Sequence, residues 1–81
     1  LHVTISGFTF HPDHFVVAPG ATLTVTNHDP QPHTFTSTAG EFNTGDITQG
    51  QTVTLTAPRK KGTYPFKCTV HPFMTGSFQV R

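Results

Sequence analysis

The sequence predicts an all-β fold, a sandwich of two sheets made of short strands. Three observations carry that expectation. Apolar and hydroxyl residues alternate with period two in Thr22-Leu23-Thr24-Val25-Thr26 and again in Thr52-Val53-Thr54-Leu55-Thr56, the mark of a strand with one face in a core. Turn signals punctuate the chain at Pro19-Gly20, Asp29-Pro30, Gly40, Gly45, Gln49-Gly50, Pro58 and Gly62. No stretch of ten residues shows the apolar stripe of an amphipathic helix. Short strands at this spacing argue for a sandwich.

Each strand follows from its own pattern. Val3 and Ile5 alternate near the start, placing both on an inward face. Leu23 and Val25 point inward in the next clear strand, and Val53 and Leu55 do so in a later one. Their threonines point outward, where a β-branch fits the pleated surface. After Pro32, His33 and Phe35 share a face at the start of an expected strand. Tyr64, Phe66 and Cys68 share another, so the cysteine side chain points inward and Lys67 points out. Phe78 and Val80 alternate in the closing strand. Phe8, Phe10, Phe15, Phe35, Phe42, Phe66 and Phe78 are expected as core aromatics in a chain without tryptophan.

With 81 residues the chain has room for one domain, residues 1–81, and one core. A chain this short buries only about 60% of its unfolded surface and gains from added support, for which a bound metal is one source. No segment is long or apolar enough to span a bilayer. No signal peptide is read, because Leu1 already begins a strand-like alternation, so any leader or anchor is out of view. The net charge of +1 points to neither nucleic acid nor membrane as a partner. Arg59-Lys60-Lys61 is the one charge run and reads as a solvated hairpin tip, with a docking patch for an acidic partner as the alternative. A single cysteine excludes an internal disulfide. In an extracellular setting an unpaired thiol needs a reason, and metal ligation supplies one.

The chemistry concentrates in Cys68-Thr69-Val70-His71-Pro72-Phe73-Met74, read together with His33. The chain has one Cys and one Met, and both sit on this short stretch with a histidine between them. One thiolate, two imidazoles and one thioether are the donors of a blue-copper electron-transfer site, a trigonal His2Cys plane with a weak axial Met. The expected metal ligands are therefore His33, Cys68, His71 and Met74. A soft thiolate selects copper over hard cations, imidazole binds both oxidation states, and a thioether is tolerated by both. Zinc is the metal rival, but it prefers four Cys, His or carboxylate donors, and a thioether is a poor fourth. His33 comes from a different strand, so folding must bring it to the loop.

The remaining polar residues have plainer readings. His11 and His14, in His-Pro-Asp-His, are expected as solvent-exposed loop residues, with a second metal site as the alternative. His28 reads as a turn residue, and His2 has no visible partner. Asp13, Asp29, Glu41 and Asp46 show no paired-carboxylate spacing for acid–base chemistry. Ser6, Ser37 and Ser77 lie in no nucleophile elbow, and there is no Gly-rich phosphate loop.

Two stretches, Asn27-His28-Asp29-Pro30-Gln31-Pro32-His33 and Tyr64-Pro65-Phe66-Lys67-Cys68-Thr69-Val70-His71-Pro72-Phe73-Met74-Thr75-Gly76, resemble the cupredoxins, specifically their plastocyanin/amicyanin-like branch. The two-residue gap between His71 and Met74 is similar to that of amicyanin. The resemblance runs from Phe10-His11-Pro12 to the final strand. It implies an eight-stranded Greek-key β-sandwich, one type 1 copper cycling between Cu(I) and Cu(II), and one-electron shuttling outside the cytoplasm, in a periplasmic, cell-surface or secreted location. It implies the ligand roles of His33, Cys68, His71 and Met74, and a port at the edge of His71 where redox partner proteins dock on Pro32, Pro72 and Phe73. It also implies that His71 can protonate and leave Cu(I) at low pH.

Two departures from the family pattern carry expectations. Thr34 stands where many members have Asn after the first histidine ligand. Its N–H is expected to reach the Cys68 sulfur, and its hydroxyl to tie the two loops together. Val70 stands where amicyanin and plastocyanin have Pro, so a second N–H to sulfur bond is expected from Val70, one that would raise the reduction potential.

These readings favour a monomeric electron carrier over an enzyme, because a copper filled by protein ligands leaves no open position for substrate. Two alternatives stand beside it. One is a type 1 domain trimmed from a larger copper oxidoreductase, although Lys67 and Thr69 flank Cys68 where multicopper oxidases carry wiring histidines. The other is an extracytoplasmic copper carrier or storage protein, which six histidines favour and a single methionine opposes.

Overall fold

The computed structural model describes residues 1–81 and contains eight strands and no helix. They are β1 (His2–Ser6), β2 (Thr9–His11), β3 (His14–Val17), β4 (Thr22–Asn27), β5 (Thr36–Ser37), β6 (Thr52–Thr56), β7 (Gly62–Lys67) and β8 (Thr75–Val80). One sheet has the order β2-β1-β4-β6 and the other β3-β8-β7-β5. The expected eight-stranded sandwich is therefore present. Both sheets are mixed: β1 runs parallel to β4 and β3 parallel to β8. Parallel neighbours cannot be joined by a tight hairpin, so the chain crosses between sheets instead.

Parity places the core. Val3, Ile5, Leu23 and Val25 have no exposed surface, and neither do Phe35 and Phe66. Phe10, Phe35, Phe66 and Phe78 are the largest fully buried side chains, and burying each contributes about 2–3 kcal/mol. Phe10 and Phe66 meet edge to face at 5.0 Å, and Phe15 stacks on Phe78 at 5.1 Å. Val53 and Leu55 point the expected way but are only half-buried, because β6 is an edge strand with cover on one side.

Three local expectations change. The strand expected from His33 is only Thr36–Ser37; His33 itself makes an isolated bridge to Ile47. Thr26 is buried rather than outward and exposed, and its Oγ1 lies 2.9 Å from His2 Nε2 and 2.7 Å from Thr52 Oγ1. His2 thus has a partner after all, across two strands that are remote in sequence. No buried side-chain nitrogen or oxygen lacks a hydrogen bond.

Gly76 is required by a close approach rather than by a turn. A Cβ there would sit 2.5 Å from the Asp13 carbonyl oxygen and 2.5 Å from the Phe66 ring. Neither can yield, since one is backbone and the other is the packed centre of the core. Gly76→Ala is expected to destabilise the protein by about 1–3 kcal/mol, in the range of core overpacking, as read from the midpoint of urea unfolding.

Candidate metal centre

Four connections meet at one pole of the sandwich: the β1–β2 turn, the 28–35 segment after β4, the 38–51 excursion after β5, and the 68–74 loop between β7 and β8. Each is pinned by backbone bonds. His33 exchanges both its backbone bonds with Ile47, at 3.2 and 2.7 Å. In the 68–74 loop the Cys68 N–H donates to the Met74 carbonyl at 3.0 Å, and the Met74 N–H donates to the His71 carbonyl at 2.9 Å. Three of the four sequence-predicted ligands thus share one small hydrogen-bonded ring.

The side chains converge as well. His33 Nδ1, Cys68 Sγ and His71 Nδ1 lie mutually close: 3.7 Å from sulfur to His33, 4.0 Å from sulfur to His71, and 3.1 Å between the imidazoles. This is the one group of three or more His, Cys, Asp or Glu donors that gathers within 4.8 Å in the molecule. An ion held about 2.0 Å from two nitrogens and about 2.3 Å from a sulfur would space its ligands by roughly 3.5–3.8 Å in a trigonal plane. The three separations, 3.1–4.0 Å, bracket those distances, and the donors suit a metal in their chemistry. His33 and Cys68 have no exposed surface, and Met74 is also buried. His71 is half-buried and is the part of the cluster that reaches solvent.

The sulfur has a backbone donor. The Thr34 N–H reaches Cys68 Sγ at 3.3 Å. The Thr34 hydroxyl oxygen accepts from the Thr69 N–H at 2.9 Å and lies 3.2 Å from Thr69 Oγ1. Thr36 Oγ1 donates to Thr34 Oγ1 at 2.9 Å and to Asn43 Oδ1 at 3.0 Å. Threonine therefore links the two loops as expected of it. Val70 does not add a second sulfur bond: among backbone amides the sulfur accepts only from Thr34, and Val70 is exposed on the outer curve of the loop. The expected potential-raising effect of Val70 is withdrawn with it.

Asn27 organises the segment that delivers His33. Its side chain is fully buried. Nδ2 donates to the Gln31 and Ile47 carbonyls, both at 2.8 Å, and Oδ1 accepts from the Asp29 N–H at 2.8 Å. Sequence reasoning placed Asn27 only within a motif.

Two further residues escaped it. Asp29 Oδ2 lies 2.9 Å from His33 Nε2. Burial raises the Asp29 carboxyl, but the Phe8 N–H, the His33 ring and the Gly7 N–H together outweigh it and leave its pKa below the ordinary value. The four-residue spacing from Asp29 to His33 was the available signal. Phe8 sits in a left-handed conformation with φ of 57°, which is unfavourable for a bulky residue. Its ring meets His33 edge-on at 5.3 Å and His71 at 5.0 Å, and lies 6.3 Å from Phe73. Nothing in the sequence marks this core-like phenylalanine as a cover for two imidazoles.

The other histidines are dispersed. His28 is exposed in its turn. His11 ends β2 and His14 begins β3, both exposed and at strand ends rather than within a loop. His14 Nδ1 is 3.1 Å from Asp13 Oδ1, while His11 Nε2 is 3.3 Å from the Ser6 carbonyl, so they turn to different partners. Phe73 is 72% exposed beside His71, at 6.1 Å between rings. Pro32 and Pro72 are exposed too. No helix is long and apolar enough to cross a membrane.

Comparison with known proteins agrees with this arrangement. The cupredoxin-like domain family matches residues 1–80. No curated protein matches the sequence. An oxidized methionine-to-leucine mutant of amicyanin superposes with a TM-score of 0.89 at 27% identity, covering 100% of this chain and 81% of that one. A copper-containing nitrite reductase from Thermus scotoductus SA-01 superposes with a TM-score of 0.88 at 23% identity, covering 100% of this chain but 22% of that one. A purple cupredoxin from Nitrosopumilus maritimus superposes with a TM-score of 0.81 at 23% identity, covering 99% and 98%. The last two likenesses speak to the fold alone.

Proposed function

The chain belongs to the cupredoxin family, and from that premise we propose that it carries single electrons between redox partner proteins outside the cytoplasm. His33, Cys68, His71 and Met74 hold its one copper. The observation that carries this reading is the meeting of two imidazole nitrogens and the cysteine sulfur within 4.8 Å at one pole, on a loop that also carries the chain's one methionine.

Bound copper supplies a one-electron Cu(II)/Cu(I) couple in a ligand set that both states accept. The chain's own residues do the rest. Cys68 is buried, so its thiolate is kept from water and from other oxidants. The Thr34 N–H bond to sulfur steadies the thiolate charge. Thr34, Thr36 and Thr69 lock the two ligand-bearing loops together, which limits rearrangement when charge changes. His71 brings one ligand edge to the surface, where Phe73, Pro72 and Pro32 offer a small apolar face to a partner. Small interfaces of this kind suit brief redox encounters. The chain acts as a carrier rather than an enzyme, because four protein ligands leave no position for substrate.

The reading as a domain of a larger copper oxidoreductase rests on the nitrite reductase likeness, which is one of fold. Lys67 and Thr69, not histidines, flank Cys68, so the covalent route to a second copper centre is missing here. Voltammetry of the copper-loaded protein tests the carrier reading. A reversible one-electron wave is expected, together with oxidation and reduction by small redox proteins. A colourless Cu(I) form that hands its metal to a chelating protein and gives no reversible wave would contradict it in favour of copper transport.

A further inference from the structure

We propose that Asp29 is a positioning residue of the copper site, a buried carboxylate that holds His33 in the tautomer and orientation the metal needs and lowers the reduction potential. This rests on the ligand assignment above.

The contact is direct: Asp29 Oδ2 lies 2.9 Å from His33 Nε2, with His33 fully buried and Asp29 7% exposed. An ionised carboxylate can only accept, so Nε2 carries the ring proton. In a neutral imidazole this leaves a lone pair on Nδ1, the atom that faces Cys68 and His71. A histidine that binds a metal through one nitrogen and a carboxylate through the other is a stronger donor with a fixed ring plane.

The carboxylate is itself held. The Gly7 N–H donates to Oδ1 and the Phe8 N–H to Oδ2, each at 2.9 Å. Both residues have positive φ, 58° and 57°, and successive amides in a turn form a concave anion cradle. The Asp29 N–H is anchored on Asn27 Oδ1 at 2.8 Å. The β1–β2 turn thus grips the carboxylate from one side while His33 approaches from the other. The same turn sets the Phe8 ring against both imidazoles. A left-handed backbone is costly for a bulky phenylalanine, and a feature kept at such a cost is a candidate for a functional one.

A purely structural Asp29 would cap the turn and do nothing to the metal. The two roles separate on the reduction potential. Asp29→Asn keeps the size and removes the charge; its one remaining oxygen can still accept from His33 Nε2–H and the Phe8 N–H, while an NH2 group replaces the oxygen that accepts from the Gly7 N–H. A negative charge near the metal favours Cu(II) over Cu(I), so its removal must raise the potential. The expected change is a tenfold loss of preference for Cu(II), about 59 mV upward for one electron, with Cu(II) affinity falling about 10–100-fold. A folded Asn variant with wild-type potential and wild-type Cu(II) affinity overturns the proposal.

A second measurement needs no variant. In the diamagnetic Cu(I) protein the His33 Nε2 proton is expected as a sharp, slowly exchanging imidazole NMR resonance. A His33 ring proton that exchanges as fast as that of exposed His28 overturns the proposal even if Asp29→Asn does not fold. Should the wild-type chain form no blue copper centre, the ligand assignment fails first and this role falls with it. A blue wild type with an indifferent Asp29→Asn defeats the positioning role alone.

Discussion

Replacing Cys68 with serine is expected to abolish the intense visible absorption of the copper-loaded protein while leaving the fold in place. The reasoning is local. The visible band of such a site arises from charge transfer between thiolate sulfur and Cu(II), within the His2Cys set, and this chain has one sulfur able to supply it. Serine is close in size, and the Thr34 N–H that now donates to sulfur can donate to its hydroxyl. The apo-protein is therefore expected to lose no more than about 1 kcal/mol, the net worth of one hydrogen bond. Copper binding is expected to suffer far more. A neutral hydroxyl is a hard, weak donor for copper, so affinity falls beyond the roughly 10–100-fold seen when only an outer partner is removed. Visible spectroscopy and urea unfolding of the same preparation check both halves. A Cys68→Ser variant that stays intensely coloured would remove the sulfur from the site.

The second large effect belongs to Asn27, and it is one of stability. Its amide joins Gln31, Ile47 and Asp29 through three hydrogen bonds, entirely out of water. Asn27→Ala leaves the Gln31 carbonyl and the Asp29 N–H without a partner, and leaves the Ile47 carbonyl only its bond from the His33 N–H. Each buried orphan costs about 1–3 kcal/mol, so a total loss of roughly 2–4 kcal/mol is expected after partial relaxation. That is a large share of the about 4–12 kcal/mol available to a domain of this length. The apo variant should unfold at much lower urea than wild type, and copper should recover part of the difference by binding only the folded form. Asn27→Asp is expected to be worse, because it turns an acceptor toward the Gln31 and Ile47 carbonyls. A midpoint within error of wild type for Asn27→Ala would show that the segment carrying His33 is held by something else.

The legible parts of this molecule were those encoded by short-range parity and by rare residue types. Tyr64 and Phe66 alternate along β7 and Cys68 follows in the same parity just past its end, and all three are buried. Cys68, His71 and Met74 lie on one loop, so their proximity is nearly guaranteed by the chain. His33 was placed because its neighbour two residues on, Phe35, is unmistakably a core residue. What the sequence concealed lies across sheets. Thr26 reads as an outward threonine, yet β1 and β6 cover it on both sides, and His2 and Thr52 complete its bonding. Asp29 reads as a turn residue, because its partners at Gly7 and Phe8 are more than twenty positions away. Phe8 reads as core, because only the backbone conformation of its turn aims it at the two histidines. The Val70 amide was expected to reach sulfur from its identity alone, but the direction of an N–H in a loop depends on backbone torsions that residue type does not determine.

The account stands on His33, Cys68, His71 and Met74 gripping one copper, and a titration tests that most directly. Cu(II) added to the purified apo-protein is expected to bind one equivalent and to produce an intense band near ~600 nm with narrow parallel hyperfine splitting in EPR, as a trigonal His2Cys site requires. Weak absorption with ordinary wide splitting, or colour that develops equally well in a His33→Ala variant, would contradict the central claim.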